Sequence, residues 1–452
     1  MRLMASEVAQ AVGGRLVGSD VAVSGVSIDS RTVAQGELFV PVVAERDGHD
    51  FIGDALAAGA AAYLTAQSPR EATAPREATA PRGATAPRGA TAVEVDDTAA
   101  ALAELGRFAR GRFDGPVVGI TGSVGKTSVK DMAAAAIGAD RPTHASPMSF
   151  NNELGVPLTL ANRPESAEAV VVEMGARGRG HIAWLCSLGR PTVGVVTAVG
   201  AAHTELFGTV EAVAEAKGEL VESLGPSGVA VLNADQPLVA AMAERTEAQV
   251  LTFGRSGGEV RASGVSVDDG LRARFSLETP NGQAEVAMAV CGEHMVDNAL
   301  AAAAAALAVG VGVAVIAAGL GSAKLSPWRM EVTELASGAV LINDAYNANP
   351  MSMAAGLRSL ATVDRRRRVA VLGVMAELGD RAAAEHAAIG ALARELGIEV
   401  IPVATGDYGL PPVTDAAAAV AALGPVDADT AVLVKASRAA GLEAVANALG
   451  DH

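Results

Sequence analysis

Apolar runs of strand character alternate with helix-like stretches along most of this 452-residue chain. The clearest run, Val117-Val118-Gly119-Ile120-Thr121, enters a small glycine-rich turn and continues into a helix-like stretch over 129–137. Before it, 26–31 reads as a short strand running into a polar turn, 37–41 as another strand, 51–58 as an alanine-rich helix and 98–110 as an amphipathic helix. After it, 169–175, 192–199 and 228–235 read as apolar strands, and 250–290 alternates in β fashion. The last third repeats strand and helix in turn, with strands at 339–344, 368–372, 399–404 and 430–434 and helices at 351–361, 382–395 and 415–423. That rhythm predicts a Rossmann-like domain with a parallel sheet.

The chain is too long for one ordinary core. The pattern predicts an α/β protein of three domains. These are a small α/β domain over 1–112, a central P-loop ATPase-like domain with a mostly parallel sheet over 113–323, and the Rossmann-like domain over 324–452. Residues 69–92 interrupt the first domain with four tandem hexapeptides, Pro-Arg-Glu-Ala-Thr-Ala twice and Pro-Arg-Gly-Ala-Thr-Ala twice. Proline every sixth residue and few apolar anchors predict a disordered insert there. The uncharged stretch 298–323 is long enough to cross a membrane, but it is mostly alanine and broken by Gly310-Val311-Gly312, so it reads as two short buried helices.

Composition narrows the partners. A net charge of −16 argues against nucleic acid. Two cysteines, Cys186 and Cys291, make neither a disulfide framework nor a metal motif, and the first residues hold no signal-peptide pattern, so a cytoplasmic protein is expected. Of 35 basic residues five are lysines: Lys126, Lys130, Lys217, Lys324 and Lys435. Where arginine supplies generic positive charge, a retained lysine points to a need for a primary amine, and Lys217 and Lys435 are nominated on that ground.

The turn after the first apolar run is Gly122-Ser123-Val124-Gly125-Lys126-Thr127. It matches the short form G-x-x-G-K-T; the longer phosphate-loop form fails because its first glycine position is Ile120. Such a turn aims backbone N–H groups at a phosphate, the lysine reaches the outer phosphates, and the threonine hydroxyl sits on Mg²⁺. An ordinary strand–helix loop is the plain alternative. Glu173 ends an apolar strand 47 residues after Lys126, where ligands of open α/β sheets gather, and is a candidate for the same metal. His203, after the next strand, is a second candidate ligand or a polar loop residue. Asp29-Ser30-Arg31 is either a capped turn or a binding turn.

These residues together resemble the Mur ligases, ATP-dependent amide-forming enzymes of peptidoglycan synthesis. The resemblance spans nearly the whole chain outside the insert. It is carried by Thr121 to Thr127, Asn151-Asn152-Glu153-Leu154-Gly155-Val156-Pro157, Glu173-Met174-Gly175, and His203 with Lys217. Asp344-Ala345-Tyr346-Asn347-Ala348-Asn349-Pro350 and Val434-Lys435-Ala436-Ser437-Arg438 resemble the branch that joins D-alanyl-D-alanine to UDP-N-acetylmuramoyl-tripeptide. The sister branch, which adds a diamino acid, resembles Tyr-Ala-His-Asn-Pro and Asp-Asn-Pro-Arg, and neither occurs here. A folylpolyglutamate synthase and a non-catalytic nucleotide-binding paralogue compete with these branches. The run Tyr346-Asn347-Ala348-Asn349-Pro350 speaks against the first, and Lys126, Glu173, His203 and Lys217 together speak against the second.

The resemblance implies ATP, two Mg²⁺ ions and an acyl-phosphate intermediate attacked by the dipeptide amine. It implies Lys126, Glu173, His203 and Lys217 as catalytic residues, with Lys217 carbamylated by CO₂. The metals would be held by Thr127, Glu173, His203 and Lys217. Nucleotide contacts fall to Gly122, Ser123, Val124, Gly125, Lys126, Thr127, Asn298, Arg329 and Asp344. Ser30, Arg31, Asn151 and Asn152 fall on the UDP-sugar side, and Tyr346, Asn347 and Ser437 on the dipeptide side. A monomer with no membrane insertion is expected. Three positions depart from the family pattern: Met295 stands after His294 where Asn is frequent, Trp328 where a Gly precedes the nucleotide arginine, and Val374 within the usual Gly-Asp-Met.

Overall fold

Residues 2–66, 89–200 and 204–450 are described by the computed structural model of the chain. They divide into two units, one formed by 1–117, 144–172 and 184–190, the other by 118–143, 173–183 and 191–452.

The first unit is built on five short strands in the order Arg15–Val17, Thr91–Glu94, Ala62–Thr65, Leu38–Phe39 and Val26–Ser27. The first pair is antiparallel and the rest are parallel. Leu38, Leu64, Val93, Leu102 and Leu105 form one core with Val8 and Leu158, and Phe39, Ile52, Ala55 and Tyr63 form a second. The helix Thr98–Gly111 takes its start from Asp97, whose carboxylate accepts the N–H groups of Ala99 and Ala100. The strand expected to run into a polar turn over 26–31 is Val26–Ser27, and Asp29 to Arg31 form the turn, with Asp29 holding the Arg31 N–H and guanidinium.

The expected disordered insert over 69–92 is corrected at its end. Thr91 and Ala92, the last two residues of the fourth repeat, open the strand Thr91–Glu94 and are buried. Thr91 Oγ1 donates to Ser19 O at 2.8 Å, so the sheet recruits a sequence that its composition alone marks as unstructured. Most of the repeat lies outside the described residues.

In the second unit the strands Gln249–Phe253, Val229–Asn233, Val193–Val196 and Val117–Thr121 pair in parallel in that order. The helix Lys126–Gly138 follows the last of these. The alanine-rich stretch is two helices, Met295–Ala308 and Val313–Ser322, and among the described residues no helix is long and apolar enough to cross a membrane. The β-alternating region is an antiparallel sheet of Arg261–Val267, Arg272–Thr279 and Gly282–Cys291.

A five-stranded sheet runs Glu331–Glu334, Val340–Asn343, Thr430–Lys435, Arg367–Leu372 and Glu399–Pro402. Its last four strands are parallel, as the rhythm predicts. Glu331–Glu334 corrects the all-parallel expectation: it is an antiparallel edge strand, mostly exposed, and Glu-Val-Thr-Glu carries too little apolar pattern to announce itself. The helices Pro350–Thr362, Ala382–Glu395, Ala416–Leu423 and Glu443–Gly450 complete this part.

Candidate active site

The phosphate-loop turn is made by two glycines that no other residue replaces. Gly122 has φ 152° and Gly125 φ 82°. A Cβ on Gly122 would collide with the Thr197 hydroxyl, and one on Gly125 with Asn298 Oδ1. The turn is therefore packed to the backbone and leaves the first N–H groups of the following helix without intrahelical partners. Thr197 collars it from below, donating to Val124 O at 2.5 Å. Ser123 N–H donates to Ala198 O at 2.7 Å, and Asn233 Nδ2 holds Thr197 O at 2.9 Å. Asn349 Nδ2 reaches Ser123 O at 3.5 Å.

Lys126 is half-buried and folds back so that Nζ donates to Gly122 O at 2.8 Å. Desolvation pushes its pKa down, against the pull of the Glu173 carboxylate. Thr127 Oγ1 donates to Glu173 Oε2 at 2.7 Å, and both residues are buried. Glu173 is carried there because its strand Ala169–Glu173 ends beside the loop strand, with Met174 N–H on Ile120 O at 2.8 Å. Arg329 Nη2 donates to the same Thr127 hydroxyl at 2.8 Å. A hydroxyl and a carboxylate at a helix N-terminus form an oxygen-only donor pair suited to a hard divalent cation. Among the described residues no three His, Cys, Asp or Glu side chains gather into a metal-binding group. His203 lies outside the described residues.

Lys217 sits on the helix Val210–Glu222 and is 1% exposed. Burial, and then the nearby positive charge of Lys126, drive its pKa well below the ordinary lysine value. Among the described residues no carboxylate counters that shift, so burial favours the neutral amine over the ammonium. Lys435 is buried with a different solution: Nζ donates to Asp344 Oδ2 at 2.5 Å and to Asn347 O at 2.9 Å. Asp344 Oδ1 in turn accepts the Met330 N–H, next to Arg329.

Asn298 lies against Gly125, and its Nδ2 donates to Met295 Sδ at 3.2 Å. The Arg329 guanidinium carbon lies 4.3 Å from the centre of the Tyr346 ring, and Ser437 Oγ donates to Ala348 O at 3.3 Å. Lys126, Thr127, Glu173, Asn298, Arg329, Asp344, Tyr346, Asn347 and Ser437 thus belong to one connected set within the second unit. The residues expected on the UDP-sugar side lie in the first unit. There, Ser30 and Arg31 line a cavity of about 770 Å³ with Arg46, Phe51 and Phe150. Asn152 Oδ1 accepts the Gly155 N–H at 2.9 Å, at the start of the helix Gly155–Ala161; Asn151 precedes it. A second cavity of about 740 Å³, beside Arg15, Glu94 and Trp184, holds none of the expected residues.

Thr197 and Asn233 join the site without any motif to announce them, and Asn349 joins it from within the run Asp344 to Pro350, where the resemblance assigns it no role. Thr197 and Asn233 follow or end apolar strands, the position that nominates Glu173, so the strand-end rule reaches them as well.

Three family models match the chain in succession: "Mur ligase family, catalytic domain" over 22–110, "Mur ligase middle domain" over 120–306 and "Mur ligase, glutamate ligase domain" over 328–452. A relative in Mycobacterium tuberculosis (strain ATCC 25618 / H37Rv), UDP-N-acetylmuramoyl-tripeptide--D-alanyl-D-alanine ligase, is 41% identical, covering 99% of this chain and 98% of its own. The chain belongs to the Mur ligase family. The Escherichia coli (strain K12) ligase of the same name is 34% identical with the same coverage. A crystal structure of MurF from Acinetobacter baumannii superposes with a TM-score of 0.86 at 28% identity, covering 100% of this chain and 99% of that one. MurF from Thermotoga maritima in complex with ADP gives 0.79 at 28% identity, covering 95% and 97%. The α/β, three-domain Mur ligase architecture expected from the sequence is therefore the observed one.

Proposed function

We propose that this Mur ligase joins D-alanyl-D-alanine to UDP-N-acetylmuramoyl-tripeptide, using ATP and passing through an acyl phosphate. The observation that carries this reading is the full-length likeness to ligases of that name, at 41% identity, in a chain whose loop Asp344 to Pro350 meets the phosphate-loop residues. The product, a UDP-linked pentapeptide, is a peptidoglycan precursor made in the cytoplasm and used in wall growth and cell division. A monomer is the proposed working form.

The chemical problem is to bring anions together and to stabilise charge as the γ-phosphoryl group moves to a carboxylate. The Gly122–Gly125 turn and the helix N-terminus cradle the phosphates. On nucleotide binding, Lys126 exchanges its contact with Gly122 O for phosphate oxygens. Arg329, already aimed at Thr127, adds a second positive charge. Asp344 takes the ribose and Asn298 the base side, with Met295 in place of a frequent Asn. Thr127 and Glu173 would hold one Mg²⁺, and His203 the second with Lys217 as its carbamate. Bound there, the ions would neutralise developing negative charge on the transferring group. Burial favours the neutral Lys217 amine, the form that adds CO₂, and an arginine has no such form. Ser30, Arg31, Asn151 and Asn152 bind the UDP-sugar, and Tyr346, Asn347 and Ser437 receive the dipeptide.

The test is phosphate release from ATP with UDP-N-acetylmuramoyl-tripeptide, with and without D-alanyl-D-alanine. Release that needs both acceptors, with the pentapeptide seen by mass, is the expected result. Release supported by a free diamino acid and a dipeptide precursor instead would move the chain to the sister branch.

A further inference from the structure

The turn Gly373 to Ala376 follows the strand Arg367–Leu372 and carries none of the residues assigned to substrate. It is nevertheless bonded on both sides. On one side Gly373 N–H donates to Lys435 O at 3.0 Å and Val374 O accepts the Ser437 N–H at 2.9 Å. Ala376 N–H donates to Ser437 Oγ at 2.9 Å, which directs that hydroxyl's own proton to Ala348 O. On the other side two buried side chains grip the turn. Tyr408 OH donates to Gly373 O at 2.6 Å, and the Met375 N–H donates to His386 Nε2 at 2.9 Å.

His386 has no freedom in this role. It is 1% exposed on the helix Ala382–Glu395. Its Nδ1 is 2.7 Å from Ala382 O, which can only accept, so the proton is on Nδ1 and the lone pair on Nε2. The Tyr408 ring stands edge-on to it, centroids 5.0 Å apart. Removing the Nε2 acceptor would leave the Met375 N–H buried without a partner and release the turn.

We infer that His386, with Tyr408, is a positioning residue for the dipeptide-accepting end of the site, acting through the Gly373–Ala376 turn on Ser437 and the loop that carries Tyr346 and Asn347. The inference rests on the proposed placement of the dipeptide at Ser437. The consequence is selective: the amine acceptor is bound less well when the turn loosens, while the phosphate loop keeps the bonds it makes with Thr197, Ala198 and Glu173.

The experiment measures KM for all three substrates in folded His386→Phe, His386→Gln, Tyr408→Phe and Ser437→Ala, with melting curves to confirm folding. His386→Phe keeps the ring packing and loses the acceptor; its KM for D-alanyl-D-alanine should rise about tenfold, with the KM values for ATP and UDP-tripeptide within about twofold of the parent. His386→Gln restores an acceptor near the Nε2 position and should recover most of that loss. If His386→Phe does not fold, Tyr408→Phe carries the test, with a rise of about threefold expected in the same KM alone. An unchanged dipeptide KM in the folded variant, or an equal rise for all three substrates, overturns the positioning role. Ser437→Ala separates the two readings. A raised dipeptide KM there beside an unchanged His386→Phe overturns the positioning alone, whereas no change in Ser437→Ala overturns the dipeptide placement and the positioning with it.

Discussion

Arg329 and Thr127 share a hydrogen bond of 2.8 Å, although they stand 202 positions apart in the chain. The guanidinium also stacks on Tyr346, and its Nε is buried with no partner among the described residues. Arg329 is thus held by one charge-assisted bond and one ring, beside the hydroxyl that faces Glu173. Arg329→Ala should lower kcat/KM for ATP about 100-fold and nucleotide-free stability by about 1–2 kcal/mol. Arg329→Lys should keep part of the charge effect and lose the planar stack. Steady-state kinetics with ATP varied, together with urea melts, would check both; an ATP dependence like the parent's would remove Arg329 from the nucleotide site.

Trp328, the residue before it, has φ 61°, a left-handed conformation unfavourable for a bulky side chain. The Arg438 guanidinium carbon lies 4.5 Å from its ring centre, a contact that offsets some of the strain. Both Trp328→Ala and Trp328→Gly lose that contact, but only the glycine relieves the backbone. Trp328→Gly should therefore be more stable than Trp328→Ala by about 1 kcal/mol. Equal melting midpoints would mean that the backbone is not strained there.

Lys217→Met should separate stability from activity. It replaces a buried amine, without a carboxylate partner among the described residues, by an apolar chain of similar length. Its melting temperature should equal or exceed the parent's, while turnover falls at least about 1000-fold. Short carboxylic acids added to Lys217→Ala should restore some rate. Substantial turnover in the methionine variant would sink the carbamate.

His294 supplies a pH dependence. Burial pushes its pKa down to about 4, and the Asp344 carboxylate offsets only part of that. Lys435, Arg255 and Glu293 are the other charged groups that act on it, and Ser359 Oγ lies 3.5 Å from Nδ1. Below the ordinary value of 6.5 the unfolded chain binds a proton that the folded chain refuses, so this group's contribution to stability falls as pH drops from 6.5 towards 4. The loss approaches about 3 kcal/mol at the acid end. His294→Gln should flatten that part of the stability profile. A variant with the parent's slope between pH 4 and 6.5 would assign the acid sensitivity elsewhere.

The repeat divides into a dispensable and an indispensable part. Residues 66–90 connect the parallel strands Ala62–Thr65 and Thr91–Glu94, a span of 25 residues. Removing 69–80 takes out 12 and leaves 13, which satisfies a parallel crossover of about a dozen residues. That deletion should leave melting and activity nearly unchanged. Removing 69–92 also deletes Thr91 and Ala92 from an interior strand and should abolish soluble folding. Circular dichroism and melting of the two deletions distinguish this from a repeat that is wholly inert.

Much of this was legible because strong local signals coincided. The apolar run, paired glycines and Lys-Thr define the phosphate loop without any tertiary knowledge, and the strand-end rule leads to Glu173. The scarcity of lysine was informative too: Lys130, Lys217 and Lys435 are buried and Lys126 is in the loop. What stayed hidden depends on contacts distant in sequence. Strands of two or three residues such as Arg15–Val17 and Ala22–Val23 are too short for any period. Thr91 and Ala92 read as repeat and fold as sheet because Ala62 and Tyr63 lie beside them. His386 looks like any helix histidine until Met375 is brought to its Nε2.

The burial of the lysines leaves a chemical handle. Lys130, Lys217 and Lys435 are shielded and Lys126 is engaged with Gly122, whereas Lys324 is exposed. It lies in the segment that leads to Arg329, two residues before Ser326, whose N–H is held by Asp131 on the phosphate-loop helix. An amine-reactive dye will therefore label this side chain ahead of the other four, and will do so without cysteine engineering. The native sequence already carries an optical reporter position on the segment that delivers Arg329, the arginine proposed to meet the nucleotide.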